Sequence, residues 1–158
     1  MAEDLTLIKE GTKEEKYISL IPQIEGLLYG ESNRIANFAN ISAALKEGMN
    51  FFWVGFYLVD SDDELVLGPF QGPVACTRIK KGKGVCGTCW EKEEALIVPN
   101  VDEFPGHIAC ASASKSEVVL PVKKEGETIA ILDVDSSKLD DFDKIDVQYL
   151  QQIIDLID

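Results

Sequence analysis

Four cysteine residues lie close together in the sequence, and the chemistry that they suggest is thiol reactivity or metal binding. They are Cys76, Cys86, Cys89 and Cys110, all within 35 residues. A single cysteine is most often a small buried apolar residue, but four in so short a stretch weaken that interpretation. The N-terminus is acidic where a secretion signal is basic, so we expect a cytoplasmic protein. Because structural disulfides are rare in that compartment, reactive thiols or a metal site are expected.

Zinc is the metal that Cys86 and Cys89 suggest, because a spacing of two intervening residues is typical of half a zinc knuckle. The second half is missing, since Cys76 and Cys110 form no further pair of this kind and the one histidine is His107. A thioredoxin-type CxxC motif opens a helix after a parallel strand, whereas the pattern here predicts hairpins. We therefore expect no metal and no bound cofactor. For His107 a structural role is favoured over stabilisation of a thiolate.

Acidic and aromatic residues form a second group that could bind a ligand. Asp133 and Asp135 would share one face of an otherwise apolar strand, about 7 Å apart. Paired acids there are costly unless a cation meets them, although exposure at the end of the strand is an equally good interpretation. Trp53, Gly55 and Tyr57 share a face of another predicted strand, with Gly55 leaving space between two rings. Core packing explains the rings more simply, but rings beside carboxylates suit a small amino acid with an ammonium group and an apolar or sulfur-containing side chain.

Helices are predicted near both ends of the sequence. Apolar residues at helical spacing predict a first helix over residues 17–29, with Pro22 causing a kink or a late start. A second helix is expected to be capped by Ser32 and to end at Gly48. An amphipathic pattern over residues 142–157 predicts the last helix.

Strands are predicted between these helices. Residues 51–59 are apolar on both alternating faces, which is typical of a central strand covered on both sides. The other predicted elements are a hairpin strand at 64–71, short strands at 75–79 and 95–98, a turn at 81–84, a helical turn at 85–93, and a second hairpin formed by 117–122 and 127–135. Residues 99–116 have no period and predict a long loop around Cys110, and such loops are usually functional. Helices packed on an antiparallel sheet give an α+β fold, and without an interdomain linker residues 1–158 are expected to form one domain.

The charge of the chain excludes two classes of partner. Its 28 acidic and 15 basic residues give a formal net charge of −13. Phosphate backbones and anionic lipid surfaces would be repelled by most of such a molecule, so we expect no nucleic acid and no membrane as partner. The sequence also has no run of apolar residues long enough to span a membrane.

Four segments of the chain closely resemble the free methionine-(R)-sulfoxide reductases, which are single GAF domains. They are FWVGFYL, LGPFQGPVACTRIKKGKGVCGT, VDEFPGHIACASASKSEVVLPV and ILDVDSS. The resemblance covers most of the chain. It implies a GAF-like sheet of about six antiparallel strands around a pocket for a free amino acid, with two N-terminal helices and one C-terminal helix packed on it.

The resemblance also implies a reaction. Free L-methionine (R)-S-oxide would be reduced to methionine through a cysteine sulfenic acid and an intramolecular disulfide, which thioredoxin would reduce. A homodimer is reasonable for this family. The implied residues are Cys110 as nucleophile, Cys86 and Cys76 as resolving partners in either order, Glu117, Asp133 and Asp135 as the carboxylates that hold the ammonium or assist proton transfer, and Trp53 and Tyr57 as aromatic pocket residues.

The sequence departs from the family pattern at three positions. Ala111 stands where an acid is expected, Asp102 stands where a histidine is usual, and Cys89 is additional. The first two changes could alter the order of the loop, the affinity for substrate or the pKa of Cys110. Cys89 could be inert or could react with Cys86 in a side reaction. Two other functions remain open, since GAF folds also host non-enzymatic ligand sensors and a set of thiols could act as a redox sensor without a substrate.

Overall fold

The computed structural model describes residues 4–107 and 113–158, so Cys110 and Ala111 lie outside the described residues. The helices are α1 (Lys13–Leu28), α2 (Arg34–Met49), α3 (Gly84–Lys92) and α4 (Lys144–Ile154). The strands are β1 (Trp53–Val59), β2 (Glu64–Gln71), β3 (Arg78–Lys80), β4 (Leu96–Val98), β5 (Ser116–Lys124) and β6 (Glu127–Ser136). A 3-10 turn at Val101–Glu103 lies within the predicted long loop.

The strands form one six-stranded sheet in the order β3-β2-β1-β6-β5-β4. Every neighbouring pair is antiparallel, and β1 and β6 lie at the centre. Helices α1, α2 and α4 contribute to the core on one face of the sheet. Helix α3 packs on the other face, together with the segments around it. The predicted α+β fold, with two helices before an antiparallel sheet and one after it, is confirmed.

Strand β1 is covered on both sides, as its composition predicts. Val54 and Phe56 belong to the core beneath the three long helices. Trp53 and Tyr57 belong to the core beneath α3. Because side chains alternate along a strand, β1 contributes to both layers, and Trp53 and Tyr57 lie on the face that carries α3.

Helix α1 begins earlier than predicted, at Lys13 rather than at residue 17. Thr12 and Glu15 form a capping box at its N-terminus, and this signal fixes the start. Pro22 lies inside the helix. The late start assigned to Pro22 is therefore wrong, because the helix extends through this residue.

Helix α2 differs from the prediction at both ends. Asn33, not Ser32, accepts the capping hydrogen bond from the Ala36 N–H. The helix continues through Gly48 to Met49 and ends at Asn50, which has a φ of 56°. A Cβ atom at Gly48 would lie 2.7 Å from a methyl carbon of Leu20 in α1. Gly48 therefore serves the close packing of α1 on α2 rather than ending a helix.

The remaining elements differ from their predictions by a few residues. The segment 75–77 precedes β3 instead of belonging to it, and the Cys76 carbonyl accepts a hydrogen bond from the Tyr57 hydroxyl of β1. Helix α4 spans Lys144–Ile154 rather than residues 142–157, with Asp143 as its cap. Among the described residues, none of the helices is long and apolar enough to cross a membrane.

Candidate active site

A cavity lies on the α3 face of the sheet, between the sheet and the segments that lead into α3 and β5. It is lined by residues from β1, the loop before β3, the start of α3, the loop before β5, and strands β5 and β6. These residues are Trp53, Tyr57, Ala75, Ile79, Lys83, Gly84, Val85, Cys86, His107, Ser114, Glu117, Asp133 and Asp135. All the residues that the sequence suggested for substrate binding line this cavity. Cys86, one of the candidate reactive cysteines, also lines it.

The register of the sheet brings the three acids together. Glu117 pairs with Asp135 across β5 and β6. Trp53 pairs with Asp135 across β1 and β6, and Gly55 pairs with Asp133. Residues directly opposite each other point to the same face, so acids and aromatic rings share one surface. Asp133 is 5% exposed, and plain exposure at the end of a strand is therefore wrong for this residue.

Burial makes the three carboxyl groups difficult to ionise. It raises the pKa of Glu117, and the charges of Asp133 and Asp135 raise it further. Burial followed by the charge of Asp133 also raises the pKa of Asp135, although a hydrogen bond donated by the Ser114 hydroxyl at 3.1 Å opposes this. The pKa of Asp133 is raised by burial and lowered by its contacts with Glu117 and Cys86. The cluster therefore favours sharing protons or meeting a cation over three separate charges.

Asp133 lacks part of its hydrogen bonding. Its Oδ1 atom is buried and has no hydrogen-bond partner among the residues that the structure describes. A buried acceptor without a donor costs about 1–3 kcal/mol. The site is therefore suited to a ligand that brings N–H groups or a positive charge to this oxygen.

The aromatic residues form the apolar wall of the cavity. The rings of Trp53 and Tyr57 are stacked with centroids 6.1 Å apart, and Phe70 stacks on Trp53 at 5.1 Å. A Cβ atom at Gly55 would lie 2.3 Å from the Cβ of Phe70. The expected space between the rings is therefore taken up by β2 and is not part of the cavity. Gly55 allows β2 to approach β1 closely.

Both rings also hold the segment that contains Cys76. The Trp53 indole donates a hydrogen bond to the Pro73 carbonyl at 2.9 Å. The Tyr57 hydroxyl donates to the Cys76 carbonyl at 2.9 Å. Cys76 is thereby fixed close to the cavity, where it is half-buried and disulfide-bonded.

The two cysteines of α3 differ from Cys76. Cys86 and Cys89 are buried free thiols. The Sγ atom of Cys86 lies 4.0 Å from Oε2 of Glu117. Burial, followed by the charges of Asp133 and Glu117, raises the pKa of the Cys86 thiol. Cys86 is therefore a weak nucleophile near neutral pH, since the thiolate is the reactive form.

Sequence reasoning missed or undervalued three residues of the cavity. His107 lies at the cavity although a structural role was favoured for it, and Ser114 bonds Asp135. Lys83 is the N-cap residue of α3, and its side chain accepts no capping hydrogen bond. The first N–H groups of this helix are therefore not capped by the Lys83 side chain. Position within the predicted functional loop was the available signal for His107 and Ser114. Asp102 lies in the 3-10 turn, where its N–H donates to Asn100.

The chain is similar to known proteins over most of its length. The GAF domain family matches residues 38–158. GAF domain-containing protein A of Dictyostelium discoideum is 67% identical over 158 residues, which cover 100% of this chain and 99% of that protein. The free methionine-R-sulfoxide reductase of Escherichia coli is 44% identical over 143 residues, covering 90% of this chain and 86% of that protein.

A solved structure gives the same result. The free methionine-R-sulfoxide reductase of Neisseria meningitidis, in complex with its substrate, superposes with a TM-score of 0.94 at 47% identity. The match covers 99% of this chain and 93% of that one. The described fold, the cavity lined by acids and aromatic rings, and these relatives lead to one conclusion. The chain belongs to the free methionine-R-sulfoxide reductases of the GAF-domain family.

Proposed function

We propose that the chain reduces free L-methionine (R)-S-oxide to methionine, with Cys110 as the attacking nucleophile. The observation that carries this proposal is the cavity in which three clustered carboxyl groups face a stacked pair of aromatic rings. A sulfoxide amino acid needs both surfaces, one for its ammonium group and one for its thioether side chain. The Neisseria meningitidis relative is a free methionine-R-sulfoxide reductase solved in complex with its substrate, which supports this choice of ligand.

The ammonium group would lie among Glu117, Asp133 and Asp135. Oδ1 of Asp133, which has no hydrogen-bond partner among the described residues, supplies an acceptor for it. The rings of Trp53 and Tyr57 would pack on the apolar part of the side chain.

The α-carboxylate would lie at the N-terminus of α3. Gly84 and Val85 begin this helix and line the cavity, and Lys83 precedes them. Free N–H groups and the positive end of the helix dipole favour an anion there. An amino acid within a polypeptide lacks both charged ends, so the enclosed site would favour the free compound.

The chemistry would begin with the Cys110 thiolate at the sulfoxide sulfur. The thiolate forms a bond to this sulfur. The protonated oxygen then passes to the Cys110 sulfur as the sulfur–oxygen bond of the substrate and the new sulfur–sulfur bond break, which leaves a sulfenic acid on Cys110 and releases methionine in reduced form. The oxygen needs a proton. Glu117 is the proposed donor, because burial and its two acidic neighbours raise its pKa. General acid catalysis of this kind contributes about 10² to 10⁴ in rate.

Cys76 is the proposed resolving residue. Its thiol would attack the sulfenic acid on Cys110, releasing water and forming a disulfide. Cys76 being disulfide-bonded while Cys86 and Cys89 are free supports Cys76 over Cys86. The raised pKa of the buried Cys86 thiol is a second reason, because it slows attack.

Recycling would use an external dithiol protein such as thioredoxin, which returns the disulfide to two thiols by exchange. Thioredoxin requires a reducing compartment, so we propose the cytoplasm as the location of the protein.

We also propose that residues 1–158 act as one GAF-like domain and that the protein forms a homodimer. The family resemblance supports both statements.

The test is methionine release by the pure protein, supplied with each sulfoxide diastereomer and a thioredoxin system. We expect release from the R form alone. Binding without release would indicate a sensor module in place of the enzyme. Peroxide-driven disulfide formation without binding or release would indicate a redox switch.

A further inference from the structure

Three different donor atoms converge on one point of the cavity wall. The Cys86 sulfur, a carboxylate oxygen of Glu117 and a carboxylate oxygen of Asp133 all lie within 4.8 Å of one another. All three residues are buried, with exposed fractions of 4%, 6% and 5%. They come from α3, β5 and β6, so the packing of the helix on the sheet holds them together.

An independent feature of this cluster indicates a missing ligand. Oδ1 of Asp133 is buried and has no hydrogen-bond donor within the described part of the chain. A cation bound beside it would supply the missing interaction directly. The substrate ammonium is one such cation, but an ammonium group does not bind the neighbouring Cys86 sulfur as a metal ion does.

We propose that Cys86, Glu117 and Asp133 bind one thiophilic divalent cation, of which Zn²⁺ is the type, and that this ion and the substrate exclude each other. Zn²⁺ takes sulfur at about 2.3 Å and carboxylate oxygen at about 2.0–2.2 Å in a tetrahedron. Ligand atoms in such a tetrahedron lie about 3.3–3.8 Å apart, so the three donor atoms, now within 4.8 Å of one another, would move closer together around the ion. Mg²⁺ and Ca²⁺ prefer all-oxygen sites with six or more ligands and do not match a thiol.

The fourth position of this site faces the cavity. His107 lines the same cavity, so its imidazole or a water molecule would complete the tetrahedron. A net charge of −13 also favours a cation over an anion near the protein. The site differs from the zinc knuckle considered above, because Cys89 is fully buried in the apolar core and is not part of the cluster.

The consequence is reversible inhibition by metal. An ion on Asp133 and Glu117 occupies the place proposed for the substrate ammonium, so each ligand lowers the apparent affinity for the other. The statement about competition rests on the proposed function, whereas binding of the metal does not.

The experiment titrates Zn²⁺ against a chromophoric chelator in the full chain, kept without reductant so that Cys76 stays in its disulfide. We expect about one Zn²⁺ per chain. Cys86→Ser and Asp133→Asn are each expected to weaken binding at least about tenfold, the effect typical of altered metal ligation. Cys89→Ser, a thiol on the same helix outside the cluster, is expected to bind within about twofold of the unchanged protein.

Equal affinity in the Cys86→Ser and unchanged proteins would overturn the proposal, as would the absence of binding in the unchanged protein. If Asp133→Asn fails to fold in a thermal melt, Glu117→Gln replaces it with the same expected loss. Turnover of the reduced protein in excess chelator separates the two hypotheses. If the reduced protein shows no turnover in excess chelator, the proposed reductase activity is wrong. The Zn²⁺ titration tests the metal site independently, because it requires no turnover.

Discussion

At the scale of single residues, the site depends on carboxyl groups that burial keeps from ionising freely. Glu117 lies opposite Asp135 in the sheet and beside the buried Asp133. Glu117 and Asp133 are buried and Asp135 is half-buried, so solvent stabilises their charged forms poorly. The same burial costs stability whenever more than one of them carries a charge.

Replacing Glu117 tests this cost. Because burial raises the pKa of Glu117, its ionised form destabilises the fold at pH values above its pKa in the folded protein. That destabilisation is relieved as the pH falls through the folded pKa and is absent below the ordinary value of 4.5. We expect Glu117→Gln to raise the free energy of unfolding at about pH 8 by about 1 kcal/mol or more. The gain should shrink steadily toward about pH 5 in urea titrations.

Glu127 provides the matched control, because it lies in β6 and is exposed to solvent. Glu127→Gln should change the free energy of unfolding by less than about 0.5 kcal/mol at either pH. A gain for Glu117→Gln that stays constant with pH would show that ionisation of this carboxyl does not limit stability.

At the scale of elements, helix α3 sets the geometry of the site because it carries Cys86 and closes the cavity. Gly87 lies where α3 meets the end of β3, and a Cβ atom there would lie 2.4 Å from the Lys80 carbonyl oxygen. Backbone atoms cannot rotate away as a side chain would. A side chain at Gly87 must therefore move the helix off the sheet.

Gly87→Ala is expected to lower the free energy of unfolding by about 1–3 kcal/mol, as overpacking does. It should also raise KM for the sulfoxide, since Val85 and Cys86 move with the helix. Gly26→Ala in α1 is the control, because nothing lies within 4 Å of a Cβ atom there. That change should stabilise the protein by up to about 1 kcal/mol and leave KM unchanged. Equal effects of the two substitutions in urea titrations and kinetics would contradict this role for Gly87.

Most elements could be predicted from the sequence, because hydrophobic periodicity is a local property. Strand β2 was predicted residue for residue, and β1 was identified by its two apolar faces. The ends of α2 could not be predicted in this way. At the N-terminus, Ser32 and Asn33 are both good capping residues. At the C-terminus, Gly48 is required by its close contact with Leu20, which exists only in the tertiary structure. Helix boundaries depend on such choices between near-equal signals.

The site could be predicted in part, for a similar reason. Alternation placed Asp133 and Asp135 on one face, but whether that face is buried depends on α3 and on the register of β5. The hydrogen bond from Ser114 to Asp135, and the lack of a partner for Oδ1 of Asp133 among the described residues, are properties of the tertiary structure that a local pattern does not contain. The space expected at Gly55 was wrong because the position of Phe70 in β2 is a tertiary property.

At the scale of the whole molecule, the sheet separates a structural layer from a chemical one. The first and last helices are joined on the structural side. Tyr17 of α1 donates a hydrogen bond of 2.6 Å to Oδ1 of Asp146 in α4, and both side chains are fully buried. Asp146 also accepts from Lys13 at 2.5 Å. The cavity lies on the opposite face, so changes confined to the structural side are expected to affect stability without affecting activity.

Tyr17→Phe tests this separation. Removing the hydroxyl leaves a buried carboxylate oxygen without its donor, which should lower the free energy of unfolding by about 1–3 kcal/mol. Because Tyr17 lies across the sheet from the cavity, kcat/KM should stay within about twofold. Tyr29→Phe, at a side chain that is 90% exposed, should change neither quantity. A large loss of kcat/KM in folded Tyr17→Phe protein would contradict the division into two layers.

The central claim is that the Cys110 sulfur removes oxygen from a sulfoxide held in the cavity. The most direct measurement is the amount of methionine released per chain from the R diastereomer by fully reduced protein, with no reductant in the assay. The account predicts about one methionine per chain for the unchanged protein and for Cys76→Ser, and none for Cys110→Ser. Release of about one methionine per chain by Cys110→Ser would contradict it.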